Sequence, residues 1–139
     1  MRINKDSYYL SIAEAVAKRS TCLRKQYGAV IVANDEIIAT GYNGAPRGEI
    51  NCCDRGTCWC QENTAPIDPA AAKHGKKYGS CVAVHAEQNA MLSAPRRDMQ
   101  GATLYLACLD ETEDPTPCNI CNRMIKNAGL KVVTKVGTL

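Results

Sequence analysis

The sequence has no phenylalanine, one tryptophan and six tyrosines. A flat ligand would therefore have to stack on Tyr42, Trp59 or Tyr105, or lie against aliphatic walls. It also has no run of about 18 apolar residues, which excludes a membrane span, and its first residues lack the apolar core of a secretory signal. A cytoplasmic location is the default expectation. Charge of one sign is not in excess either: 17 Lys and Arg against 14 Asp and Glu leave a net charge of +3. Without a basic stripe and with few aromatics, the chain makes a poor polynucleotide surface, so no nucleic-acid partner is expected. No repeat, low-complexity tract or linker divides residues 1–139, and a hydrophobic content of 45% suits a single globular domain. Cysteine, by contrast, is plentiful. An odd count of nine in a protein expected to be cytosolic argues against a disulfide framework, and several of the spacings suit a metal.

Two short motifs carry the chemistry, His85-Ala86-Glu87 and Pro117-Cys118-Asn119-Ile120-Cys121. A structural zinc takes four protein ligands, whereas a catalytic zinc takes three and leaves its fourth position to water or substrate. His85, Cys118 and Cys121 make three. Two thiolates render the centre formally neutral, so it can still acidify a bound water to a pKa of about 7. Glu87 then remains free as general base and acid. Alone, Cys-x-x-Cys is more often a structural half-site or a redox pair, and His-x-Glu arises by chance. Together, in this order and separated by a strand-like run, they make a strong joint signal.

Local patterns place these residues on helix starts. Thr116 reads as an N-cap with Pro117 in the first helical position of a helix running to about Ala128. His85 opens a second, ending before Pro95. Ser7 to Lys18 puts Leu10, Ile12, Ala13, Val16 and Ala17 on roughly one helical side. Tyr27 to Ala33 and Glu36 to Thr40 read as strands joined at Asn34-Asp35, Ala102 to Cys108 as a third strand, and Lys131 to Val136 as a last one. Asn43 to Ser80 shows no periodicity and is read as a long functional loop. The order is α-β-β-α-β-α-β, an α/β fold.

Further runs extend the pattern: Arg19-Ser20-Thr21-Cys22, Tyr27-Gly28-Ala29-Val30-Ile31-Val32, Gly41-Tyr42-Asn43-Gly44, Asn51-Cys52-Cys53-Asp54 and His85-Ala86-Glu87-Gln88-Asn89-Ala90. With the His-x-Glu and Pro-Cys-x-x-Cys signature known for zinc deaminases, the chain resembles the cytidine and deoxycytidylate deaminase superfamily over nearly its whole length. Gly-Tyr-Asn-Gly and Asn-Cys favour the deoxycytidylate branch. The resemblance implies a single-domain α-β-α layered fold with a central mixed sheet flanked by helices. It implies zinc-dependent conversion of dCMP to dUMP and ammonia, with Glu87 moving protons from water to N3 and to the leaving amino group, and no organic cofactor. It also implies a homo-oligomer, a hexamer being one form, with dCTP and dTTP as candidate effectors.

The resemblance extends to other residues. Several members carry a structural zinc on cysteines matching Cys22 and Cys52; Cys58 and Cys81 would complete it, with Cys60, Cys53 or His74 as substitutes. The alternative is a set of loop thiols without metal. Asn43 borders the nucleotide pocket in related enzymes, although Asn-Gly is by itself a turn signal. The Ala86 N–H suits the pyrimidine carbonyl. For a 5′-phosphate the nearby cations are Arg24, Arg19, Arg47 and Lys25, with Arg24 favoured because guanidinium makes bidentate contacts. The acidic run Asp110, Glu111, Glu113 and Asp114 departs from the family pattern, and its charge opposes phosphate unless it points away. Two other readings are deamination of another nucleoside, nucleotide or base, and a zinc-stabilised regulatory or binding protein on the same scaffold. The intact Glu87 argues against the last.

Overall fold

The computed structural model describes residues 1–58, 81–110 and 115–139. Its elements are α1 (Lys5–Ala17), β1 (Tyr27–Ala33), β2 (Glu36–Tyr42), α2 (Cys52–Arg55), α3 (Ala86–Leu92), α4 (Arg96–Met99), β3 (Thr103–Cys108), α5 (Asn119–Ala128), β4 (Lys131–Thr134) and β5 (Gly137–Thr138). The strands form one mixed sheet in the order β2-β1-β3-β4-β5, with β3 and β4 parallel and the other pairs antiparallel. The expected α-β-β-α-β-α-β order is present, with α2, α4 and β5 in addition.

Local chemistry accounts for most boundaries. The Asn4 side chain accepts from Ser7 N–H at 2.8 Å and starts α1 two residues before the sequence pattern indicates. Asn34 and Asp35 take φ of 52° and 63°, left-handed values that let a two-residue turn follow the twist of β1 and β2. Strand β2 runs two residues beyond Thr40 because Gly28↔Tyr42 and Ala29↔Gly41 continue the ladder. The last strand is shorter than read from the sequence: β4 ends at Thr134 and the chain turns back as β5. Cys52–Arg55 forms a single helical turn inside the segment read as loop, closed by Gly56 at φ 76°.

Alternation along the strands divides the interior in two. Ala29, Ile31, Leu104, Leu106 and Val132 face α3 and α5, while Val30, Val32, Tyr105, Ala107 and Val133 face α1. Two glycines set the layer spacing. A Cβ at Gly28 would lie 2.1 Å from Ala13 O, and one at Gly41 would lie 2.4 Å from Ala90 N. Both strands thus meet helix backbone directly, and Gly41 is what brings α3, with His85 at its start, down onto the sheet. Among the described residues, no helix is long and apolar enough to cross a membrane.

Candidate active site

Two helix N-termini on the same side of the sheet build the site. His85 is the N-cap of α3, and its N–H donates to Gln88 Oε1 at 2.9 Å. Cys118 is the N-cap of α5, its sulfur accepting from Cys121 N–H at 3.4 Å. This corrects the expected start of that helix. The sulfur occupies the capping position, so Thr116 is exposed and Pro117 precedes the cap instead of following it. Cys118 and Cys121 become the cap and third residue of one turn, at the positive end of the helix dipole. Cys121 and Ile125 are buried in the core, which anchors α5 behind the site.

His85 Nδ1 lies 3.5 Å from Cys118 Sγ and 3.2 Å from Cys121 Sγ. In a tetrahedral zinc site with Zn–S about 2.3 Å and Zn–N about 2.0–2.1 Å, sulfur and nitrogen sit about 3.5 Å apart. The donors thus have both the separation and the softness that zinc requires, with Nδ1 as the nitrogen facing the two sulfurs. Among the described residues this is the only group of three or more such side chains with all donor atoms within 4.8 Å of one another. The groups share protons. The Cys121 thiol donates to Cys118 and, with His85 and the Cys121 N–H, holds Cys118 down at about 4 against the opposing effect of burial. Cys121 is pushed up by the same hydrogen bond and by burial. The bond to Cys118 raises His85. A doubly charged cation entering this cluster displaces those protons.

Glu87, the second residue of α3, is 5% exposed. Burial raises its carboxyl above the usual range, opposed by its own backbone N–H and by His85. It lines a cavity of about 320 Å³, into which the structure also brings His85, Cys118, Ala86, Asn43 and Arg24. Lys25 lines it too, whereas Arg19 and Arg47 line a separate hollow with Tyr42. Asn43 is buried. Its Oδ1 accepts from Ser20 Oγ at 2.6 Å and Tyr27 N–H at 2.9 Å, and its Nδ2 donates to Lys25 O at 2.7 Å. Both acceptor positions are filled, so toward a ligand the amide can only donate.

Cys22, Cys58 and Cys81 line the same cavity but Cys52 does not, and the four are not gathered into a metal-binding group. Tyr105 belongs to the opposite face, where it donates to Asp6 Oδ1 at 2.8 Å, so it is not a stacking surface for this cavity. Trp59, Cys60, His74, Glu111, Glu113 and Asp114 lie outside the described residues. Among the described residues, the aromatic side chain in the cavity wall is Tyr27, which the sequence reading missed. As the first residue of β1 it is the place where a strand's alternation meets the loop before it.

The family described as the cytidine and deoxycytidylate deaminase zinc-binding region matches residues 3–136. The deoxycytidylate deaminase of Mycobacterium phage D29 is 38% identical over 92% of this chain and 91% of its own length. That of Schizosaccharomyces pombe is also 38% identical over 92% of this chain, but the chain spans only 35% of that longer relative. The solved structure of dCMP deaminase from the cyanophage S-TIM5, in complex with dCMP and dUMP, superposes with a TM-score of 0.62. It is 29% identical over 96% of this chain and 82% of its own. The match covers both helix starts that carry the donor set and the strand between them, and the chain belongs to the cytidine and deoxycytidylate deaminase family.

Proposed function

We propose that the chain is a zinc-dependent hydrolase that converts dCMP to dUMP and ammonia. The observation that carries this reading is the joint placement of a two-sulfur, one-nitrogen donor set and a buried Glu87 on one cavity. The relatives named deoxycytidylate deaminase, and the neighbour solved with dCMP and dUMP, support the choice of substrate.

His85, Cys118 and Cys121 would hold the zinc, which when bound supplies a water acidic enough to ionise near neutral pH. Glu87 takes a proton from that water and delivers it to cytosine N3 as oxygen adds to C4. It then carries a proton to the amino group; the C4–N bond breaks, ammonia leaves, and C4 keeps the oxygen as the uracil carbonyl. A carboxyl raised by burial suits a group that must take and return a proton in each cycle. The Ala86 N–H, in the unpaired first turn of α3, donates to the pyrimidine O2. Asn43 donates to a substrate oxygen, and Arg24 with Lys25 meets the 5′-phosphate.

The test is ammonia release by zinc-replete protein given dCMP, CMP, deoxycytidine, cytidine and dCTP in parallel, with zinc counted per chain. Preference for dCMP is expected. Equal turnover of deoxycytidine would remove the role given to Arg24 and Lys25, and no turnover on any substrate would overturn the reaction. One zinc answers to His85, Cys118 and Cys121. A second would be assigned to the site read in the sequence at Cys22, Cys52, Cys58 and Cys81.

A further inference from the structure

Ser20 lines neither hollow and is not one of the His85, Cys118 and Cys121 donors, yet it is one of the few buried polar side chains among the described residues. Its Oγ lies 2.6 Å from Asn43 Oδ1 and 2.9 Å from Asn43 O, and it accepts from Cys22 N–H at 3.2 Å. A hydroxyl has one hydrogen, and the shorter contact directs it to Oδ1. Two donors, Ser20 Oγ–H and Tyr27 N–H, therefore converge on that oxygen, while the amide nitrogen faces the Lys25 carbonyl. Flipping the amide would set two donors against an NH2 group and leave a carbonyl facing an oxygen, so the orientation is fixed.

The same contacts tie down the chain between α1 and β1. Thr21 N–H donates to Asn43 O at 3.3 Å and Gln26 Nε2 to Ser20 O at 3.5 Å. This is the stretch that carries Cys22, Arg24, Lys25 and Tyr27 into the cavity wall. The donor set and Glu87 stand on α3 and α5, and Ser20 is linked to neither helix by these bonds.

We propose that Ser20 is a positioning residue for substrate binding: its hydroxyl fixes the Asn43 amide, and through it the 22–27 wall of the cavity, without entering the chemical step. The inference rests on the proposed reaction and adds to it a separation of labour, in which one buried hydroxyl governs recognition while the two helix starts govern turnover.

Steady-state kinetics of Ser20→Ala on dCMP, with zinc content and melting temperature measured alongside, tests it. Zinc stays at the wild-type count, kcat changes by less than about twofold, and KM rises about tenfold, the scale of one buried hydrogen bond lost. In an Asn43→Ala background the Ser20 substitution adds almost nothing, because its partner is already gone. Should Ser20→Ala not fold, Ser20→Cys, close in size but a weak donor, takes its place and the same split is expected. An unmoved KM, a loss confined to kcat, or an effect that simply adds to that of Asn43→Ala overturns the inference while wild-type turnover leaves the reaction standing. Wild-type protein without turnover overturns both.

Discussion

On one face of the sheet Val30, Val32, Tyr105 and Val133 pack against Tyr9 and Ala13 of α1; on the other Ile31, Leu104, Leu106 and Val132 pack against Ala86, Ala90, Cys121 and Ile125. The α1 face is tied at its rim by polar tips. Tyr9 donates to Asp35 Oδ1 at 2.6 Å, Lys5 pairs with Asp35, and Tyr105 donates to Asp6, with the rings of Tyr9 and Tyr105 5.1 Å apart. The other face is tied by Asn89 Nδ2, which donates to Tyr42 O at 2.8 Å, and packs small residues at the start of α3; helix backbone lies on strand backbone there at Gly41, as it does at Gly28 on the α1 face. Glu87 and Cys121 are buried on this side. Ligand geometry tolerates errors of only tenths of an ångström, and an N-cap held by packed backbone meets that demand better than one held by long side chains. The chemistry sits on the face where that backbone seating lies at the start of α3, beside His85 and Glu87.

The largest effects should come from breaking the donor set. Cys121→Ala should release zinc and reduce ammonia production to background, and chelation of the wild type should do the same reversibly on adding zinc back; zinc counting and the ammonia assay check both. A Cys121→Ala protein that kept stoichiometric zinc would move the metal elsewhere. Next comes Glu87→Gln, expected to keep zinc while losing about 10²–10⁴-fold in kcat, the range for removal of a general acid–base.

The comparison of faces sharpens with two glycines. Gly41→Ala drives a Cβ into α3 backbone and Gly28→Ala drives one into α1 backbone. Each should cost about 1–3 kcal/mol of stability or more, since neither neighbour is a flexible side-chain tip. The variants should part in function. Gly41→Ala should also lower zinc occupancy and kcat, because it displaces His85 and Glu87, whereas Gly28→Ala should lower the melting temperature with zinc and kcat retained below it. Equal functional loss in both would mean that the faces are not separate in the way their packing indicates.

How much was readable in the residues depended on whether a neighbour in sequence or a neighbour in space decides. That His85, Cys118 and Cys121 gather with Glu87 at one cavity was legible because each half is a short local motif, and β1 was legible because a β-branched run ends at a turn dipeptide. The start of α5 was misplaced because cap preferences favour Thr116, while the sulfur of Cys118 takes the role once His85 is beside it. Tyr105 was one of the stacking candidates, with Tyr42, Trp59 and aliphatic walls, but its parity against Leu104 and Leu106 sends it to the α1 face. Nothing local says which parity meets the metal. The same long-range ignorance hid Tyr27, and it hid the Ser20–Asn43 bond between segments 23 residues apart.

The smallest expected effect tests the rim ties of the α1 face. Lys5 first, and Tyr9 after it, hold the Asp35 carboxyl below the usual carboxylate range. A carboxyl so lowered adds stability above its unfolded pKa of about 3.9 and loses it as the pH falls through the folded value. Asp35→Asn should therefore flatten the acid limb of melting temperature against pH and change the neutral value only slightly, because exposed ion pairs contribute little and are screened by salt. A neutral melting temperature depressed as far as that of Gly28→Ala would show that the rim ties, and not the close seating of α1 at Gly28, hold this face. The rim ties would then set this face apart in stability, as the start of α3 sets the other apart in function.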